Sequence, residues 1–168
     1  MDNEMTKGRF TYGNPIRMGN GNNVTIGQFC SIADGVVIDS GFNHSVDFIS
    51  TFPFHVFPEH NSLPSNIKIK GHVKIGDDVW LASGCCVMSG VTIGCGAVIG
   101  MRAIISKDVP PYAVVVGAPQ KIIKYRFSPE QIEKPLIIKW WDWELPKIME
   151  NAHLLQSDNI DEFLRIHG

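Results

Sequence analysis

Residues Ile69–Ile105 read IKGHVKIGDDVWLASGCCVMSGVTIGCGAVIGMRAII. An aliphatic residue returns at every sixth position: Ile69, Ile75, Leu81, Val87, Ile93, Ile99, Ile105. A smaller series keeps step with it at Val73, Val79, Cys85, Val91, Ala97, Ala103 and Val109. Gly84, Gly90 and Gly96 share the same spacing. Six matches neither the helical period of 3.6 nor the two-residue alternation of a strand. It matches short strands joined by tight corners and piled on one another, the hexapeptide-repeat β-helix. No single coil can bury its apolar residues; a stack of them makes one continuous core. Each buried aliphatic is expected to contribute about 1.5–3 kcal/mol. Lys74, Asp77, Asp78, Ser83, Ser89 and Thr92 are expected to face outward.

Ile26, Ile32 and Ile38, with Gly27 and Gly35, repeat the pattern earlier in the chain. Val24 and Met18 suggest a further coil before them, in a slightly different register. The two blocks are out of phase, so a segment of roughly Ser40–Asn66 is inserted between them. Rigid scaffolds carry their chemistry on such excursions, so this is the expected functional segment.

Beyond the repeat, Pro110 and Pro111 remove two backbone donors and are expected to stop strand pairing. Ser128-Pro129-Glu130-Gln131 reads as a capped helix start. Pro135 should limit that helix to about two turns. A helix from about Asp142 to Leu155 and a short one over Asn159–His167, capped by Asn159, are predicted to follow. Trp140, Trp141 and Trp143 should cover the last coil by core packing rather than offer a stacking platform. The chain thus divides into a β-helix over 1–119, with the insertion at about 40–66, and a helical tail over 120–168.

The 168 residues carry a formal net charge of −2, which is no footprint of a nucleic-acid binder. With no long apolar run, and no leader pattern over Met1–Phe10, the chain reads as soluble and cytoplasmic. Cys30, Cys85, Cys86 and Cys95 lack metal-finger spacing and read as reduced thiols, Cys85 as a small core residue.

Of six histidines, His44, His55 and His60 lie in the insertion. Two readings compete with ordinary solvated side chains. His55 and His60 with a third histidine could make the nitrogen set of a zinc site, as in gamma-class carbonic anhydrases. Against this, His55 sits in the apolar run Phe52-Pro53-Phe54-His55-Val56-Phe57. Alternatively His44, in Gly41-Phe42-Asn43-His44, acts as a general base, since an imidazole can take a proton near neutral pH. Asn43, Asp47 or a backbone carbonyl could orient its ring.

Several segments together resemble the hexapeptide-repeat acyltransferases, and within them the xenobiotic acetyltransferases that modify chloramphenicol and streptogramin A (virginiamycin). They are Gly8–Gly13, Ile26–Ile32, Asn43-His44, Ser50-Thr51-Phe52-Pro53-Phe54, Gly76–Trp80, Gly117-Ala118-Pro119, Tyr125–Ser128 and Trp140-Trp141-Asp142-Trp143. The resemblance covers nearly the whole chain. It implies an all-β fold, a left-handed parallel β-helix, assembled as a homotrimer with active sites between subunits. It implies an acetyl-CoA-dependent O-acetyltransferase in which His44 deprotonates an acceptor hydroxyl and the alkoxide attacks the thioester directly. Matching positions imply Ser83, Met101, Ser106, Lys107, Lys121 and Lys124 for acetyl-CoA, with Arg126 adding to the basic cluster near its phosphates. They imply Tyr12, Asn43 and Trp80 for the small-molecule acceptor. No metal, nucleic acid or membrane is implied. Sugar or polysaccharide O-acetylation on the same scaffold is the nearest alternative; a zinc enzyme or a non-catalytic scaffold stands in another class.

Overall fold

The computed structural model describes residues 4–19, 21–41, 43–68 and 70–168. Ile69, which opens the aliphatic series, Phe42 and the first residues of Met1–Phe10 lie outside the described residues. Ile75 lies beside Ile93, Leu81 beside Ile99 and Val87 beside Ile105, all in parallel register. Three hexapeptides therefore make one coil, and the chain visits three sheets in turn. The first sheet holds Met5–Lys7, Val24–Ile26, Val73–Ile75 and Thr92–Ile93. The second holds Ser31–Ile32, Trp80–Leu81, Val98–Ile99 and Ala113–Val116. The third holds Ile16–Met18, Val37–Asp39, Cys86–Val87 and Ile104–Ile105. Every described member of both apolar series is buried in one continuous core, as are Val24, Ile26, Ile32 and Ile38.

Two assignments change, one inward and one outward. Met18 is 56% exposed: Arg17, not Met18, lies beside Ile38 at the inward register position. The first coil ends the stack with polar side chains. Lys7 Nζ donates to Gly13 O at 2.9 Å and Arg17 donates to Asn22 O at 2.7 Å, so open-end carbonyls are satisfied. Ser89 is buried rather than outward, because its Oγ accepts a bond from the Asn43 amide at 2.8 Å.

One corner of the prism departs from the glycine rule. Phe10, Phe29, Asp78, Gly96 and Tyr112 stack there, each two residues before paired positions of the second sheet, and all have φ between 55° and 69°. Four of these five are not glycine, and each such residue stores about 1–3 kcal/mol of backbone strain. Packing offsets it. Phe29 lies 4.9 Å from both Phe10 and Trp140, and Arg126 sits 5.4 Å over the Tyr112 ring.

Pro110 and Pro111 do not end the coil. Pro111 packs against Gly94 and pairing resumes at once, with Ala113–Val116 parallel to Val98–Ile99. Lys121–Tyr125 then turns back antiparallel to Ala113–Val116, covering an edge that would otherwise stay open. The helix at Pro129–Ile138 starts with the expected capping box on Ser128 but runs through Pro135. Pro135 is buried, and that packing offsets the lost hydrogen bond. The long helix expected over 142–155 is two short ones, Leu145–Glu150 and Ala152–Leu155, separated at Asn151. The last helix, Ile160–His167, has its Asn159 cap. The tryptophans pack as expected but against earlier coils: Trp140 on Phe29, with Arg9 donating to the carbonyls of Trp141 and Trp143.

Candidate active site

The excursion leaves the third sheet after Val37–Asp39 and returns to the first at Val73–Ile75. Its stem is a short antiparallel pair, with Asn43 opposite Lys68 and His44 opposite Ile67. Asn43 ties that stem to the coil through Ser89, and an Asp47–Lys68 ion pair closes the outer side. The stem places His44 at the junction of rigid stack and loop.

His44 Nδ1 lies 2.6 Å from the carbonyl oxygen of Thr51. A carbonyl only accepts, so Nδ1 carries the hydrogen. In the neutral ring Nε2 then holds the lone pair, the state a general base needs. Of the possible orienting groups, it is the backbone carbonyl that holds the ring; Asp47 is engaged by Lys68 and Asn43 by Ser89. The side chain is exposed.

Beyond His44 the excursion carries an aromatic knot. Phe52 lies 5.0 Å from Phe54 and 5.7 Å from Phe57. Phe52 and Phe54, with Phe48, His55, Leu63 and Asn66, surround a hollow of about 250 Å³. His55 Nδ1 is buried there without a partner. Among the described residues no three His, Cys, Asp or Glu side chains gather as a metal-holding group, so His44, His55 and His60 are not brought together.

Tyr12 and Trp80 stand on the outer face of the second sheet, separated by Ser31 in the same row, and are 65% and 51% exposed. The hollow lined by Phe29, Ser31, Asp78, Trp80, Val98 and Arg126 includes neither Tyr12 nor His44, so it does not unite these acceptor candidates with the candidate base. Ser83 and Met101 occupy one corner on successive coils, where Arg102 N donates to Ser83 O at 3.0 Å. Met101 is 68% exposed. Ser106 and Lys107 form the next turn of the same coil, and Lys121 and Lys124 project from the antiparallel strand beyond it. Arg126 leaves this basic group: it donates to Asp78 at 3.1 Å and to Gly96 O at 2.8 Å.

Two residues near these groups carry no sequence signal. The Gln120 amide oxygen accepts from Ser106 N and Lys107 N at 2.7 and 2.9 Å, and its nitrogen returns a bond to Lys107 O. Asn66 donates to the same Thr51 carbonyl as His44, at 2.7 Å. No motif marks a backbone carbonyl, so neither clamp could be read from residue types.

The thiols offer no competing nucleophile. Burial pushes Cys30 up to about 11 and Cys85 up to about 12, and raises Cys86 and Cys95. All four are free. Thiolate is the reactive form, so a covalent acyl-cysteine step is disfavoured at neutral pH.

No protein-family model matches the chain. It is 41% identical to a probable macrolide acetyltransferase of Lysinibacillus sphaericus, across 82% of this chain and 79% of the relative. It is 47% identical to a virginiamycin A acetyltransferase of Staphylococcus aureus, across 86% and 68%. A chloramphenicol acetyltransferase of Morganella morganii is 41% identical, across 80% and 67%. Among solved structures, a hexapeptide-repeat acetyltransferase of Vibrio cholerae superposes with a TM-score of 0.58 at 25% identity, covering 74% of this chain and 64% of that one. A maltose O-acetyltransferase of Clostridium difficile gives 0.53 at 29%, covering 72% and 58%. No helix among the described residues is long and apolar enough to cross a membrane. Periodic core, tethered imidazole and these likenesses converge: the chain belongs to the xenobiotic group of hexapeptide-repeat acetyltransferases.

Proposed function

We propose that this acetyltransferase moves the acetyl group of acetyl-CoA to a hydroxyl of an antibiotic-type small molecule, with His44 as general base. The observation that carries the reading is the bond from His44 Nδ1 to Thr51 O, which leaves Nε2 free to accept a proton. Nε2 takes the hydroxyl proton as the oxygen forms a bond to the thioester carbonyl carbon. The tetrahedral oxyanion draws on backbone N–H groups of the coils. Its collapse breaks the C–S bond, and the proton on Nε2 passes to the departing thiolate of CoA. Antibiotic acceptors are favoured because the relatives at 41–47% identity are named for macrolide, virginiamycin A and chloramphenicol.

In this reading acetyl-CoA lies along the corner of Ser83 and Met101, past the Ser106–Lys107 turn, with Lys121 and Lys124 near its phosphates. Exposure of Met101 and the clamp of Gln120 on the turn support that course. Tyr12 and Trp80 meet the acceptor, and Asn43 serves the site by holding the stem on Ser89. The coil is left-handed and three protomers assemble around the sites, in the cytoplasm. Support for assembly comes from the third sheet. Its outer face presents Ile16, Met18 and Ile104, 56%, 56% and 44% exposed, whereas the first sheet presents Thr6, Thr25, Lys74 and Thr92. Ile16 and Ile104 are joined across the sheet by the half-buried Val37 and Cys86, and an apolar row of this kind supports a subunit contact. A partner there would also supply the wall that His44 lacks within one chain.

The test is release of CoA thiol from acetyl-CoA with virginiamycin A, chloramphenicol, a macrolide and maltose. Maltose is included because a solved structure that superposes on this chain is a maltose O-acetyltransferase. Turnover with an antibiotic is expected, and His44→Ala should lose about 10²–10⁴-fold in rate. Undiminished turnover in that variant would reject the base; turnover with maltose alone would move the acceptor to sugars.

A further inference from the structure

The carbonyl that tethers His44 is itself tethered, and both tethers run through one residue. Asn66 ends the excursion, directly before Ile67–Lys68, and is 3% exposed. Its main-chain carbonyl accepts the N–H of Ser45, the residue after His44, at 2.6 Å. Its side-chain Nδ2 donates to Thr51 O at 2.7 Å. The same Thr51 oxygen accepts from His44 Nδ1 at 2.6 Å. Asn66 thus grips the backbone beside the base with one group and the base's acceptor with another. The orientation of its amide is fixed, since the flipped form would set Oδ1 against a carbonyl oxygen.

From this we infer that Asn66 is the positioning residue of the active site, fixing the tautomer and direction of the His44 imidazole through Thr51. The inference rests on His44 being the base. Thr51 is exposed and belongs to no strand or helix, so no ladder fixes its peptide and the Asn66 bond restrains its carbonyl. A carbonyl oxygen has two lone pairs, and here one is used by each donor. If the peptide turns away, Nδ1 loses its preferred partner and the proton can move to Nε2, which then has no lone pair to accept with. The cost to stability points the same way. Asn66 Oδ1 is buried without a partner, which is unfavourable. A side chain serving stability alone would not need to be an amide held by one end.

The experiment uses the full chain and reads the ring directly. Long-range proton–nitrogen NMR distinguishes Nδ1–H from Nε2–H imidazole, and the His44 signals are identified by their loss in His44→Ala. Wild type is expected as the Nδ1–H form. Asn66→Ala should show a mixture with Nε2–H, together with kcat lower by about tenfold to a hundredfold. KM for acetyl-CoA should stay within about twofold, because the lost interaction matters in the transition state and not in donor binding. Asn66→Asp keeps the side-chain shape but lacks the N–H donor at neutral pH, and should behave alike if Asn66→Ala does not fold. Loss of folding in both variants would assign Asn66 to stability and overturn the inference. If His44→Ala is inactive while the Asn66 variants keep wild-type kcat and tautomer, the base stands and the positioning role falls. If His44→Ala remains active, the base assignment fails, and the tautomer measurement still decides whether Asn66 holds the ring.

Discussion

The stacked coils and the excursion spend their residues in opposite ways. In the coils the interior is aliphatic, and among the described residues Asn22 Nδ2, at the open end, is the one side-chain polar atom buried there without a partner: Leu81, Val87, Ile99 and Ile105 are fully buried, and backbone groups pair from coil to coil. In the excursion apolar side chains face outward, with Val46 82% and Ile49 111% exposed, while His55 Nδ1 and Asn66 Oδ1 are buried without partners. Burial decides the residue at each coil position. In the excursion burial decides little, and the placing of one imidazole decides much. Stability and chemistry are therefore separable, and substitutions in the two regions should read out on different instruments.

The largest effect on stability should come from the coil interior. Leu81→Ala removes a fully buried side chain beside Ile32 and Ile99 and should cost about 2–5 kcal/mol, seen as a lower denaturation midpoint. The protein that remains folded should keep its turnover number, whereas His44→Ala should do the reverse. A Leu81→Ala protein that loses turnover in proportion would break the separation. Next comes the corner column. Gly96→Ala forces φ of +69° on an alanine and sets its Cβ 2.4 Å from the Tyr112 ring. Strain alone should cost about 1–2 kcal/mol, and the ring must shift as well. A circular-dichroism melt would check this; an unchanged melt would mean that the Tyr112 ring is not held against Gly96.

This contrast also explains what residue types and spacing reveal by themselves. The period fixes the inward residues because a narrow interior allows nothing else, so Cys85 and Ala97 fall where expected beside Leu81 and Ile99. The caps of Ser128 and Asn159 are legible because capping is local chemistry. Periodicity failed where a polar demand outranked it. Met18 turns outward because Arg17 is needed at the open end, and Ser89 turns inward because the stem needs an anchor. The tail's path along the Phe10–Tyr112 corner depends on Phe10, Phe29, Tyr112, Arg126 and Trp140, side chains from distant segments that no window of sequence contains. At the site, His44 was visible as a residue type, but its partner is a main-chain oxygen, and Asn66 shows itself only once the loop closes.

A smaller effect is expected at the proposed coenzyme site. Lys121 and Lys124 are exposed, so each should contribute under about 1 kcal/mol to phosphate attraction. Lys121→Ala with Lys124→Ala should weaken acetyl-CoA binding a few-fold at low salt and less at high salt, since exposed charges are screened. Isothermal titration at two ionic strengths checks it. Equal loss at both would remove these lysines from the phosphate site, and with them the argument that the last coils carry the donor.

The smallest effect tests whether the prism is as indifferent to pH as its aliphatic interior suggests. Asp78 sits at the corner column, where burial raises its carboxyl above the ordinary carboxylate range while Arg126 pulls the other way. A group with a raised folded pKa contributes stability that is fully present below its unfolded pKa and lost as pH rises through the folded value. Stability should therefore decline slightly as pH rises through the carboxylate range, against the usual trend for paired acids. Asp78→Asn should flatten that segment of a pH–stability curve measured by denaturant titration, with Arg126 still held by Gly96 O and by the rings of Tyr112 and Phe127. A steeper slope in the variant would mean that the Arg126 pairing outweighs burial. The corner would then be held by its ion pair rather than by the packing of the tail, and the coil region would owe part of its stability to charge after all.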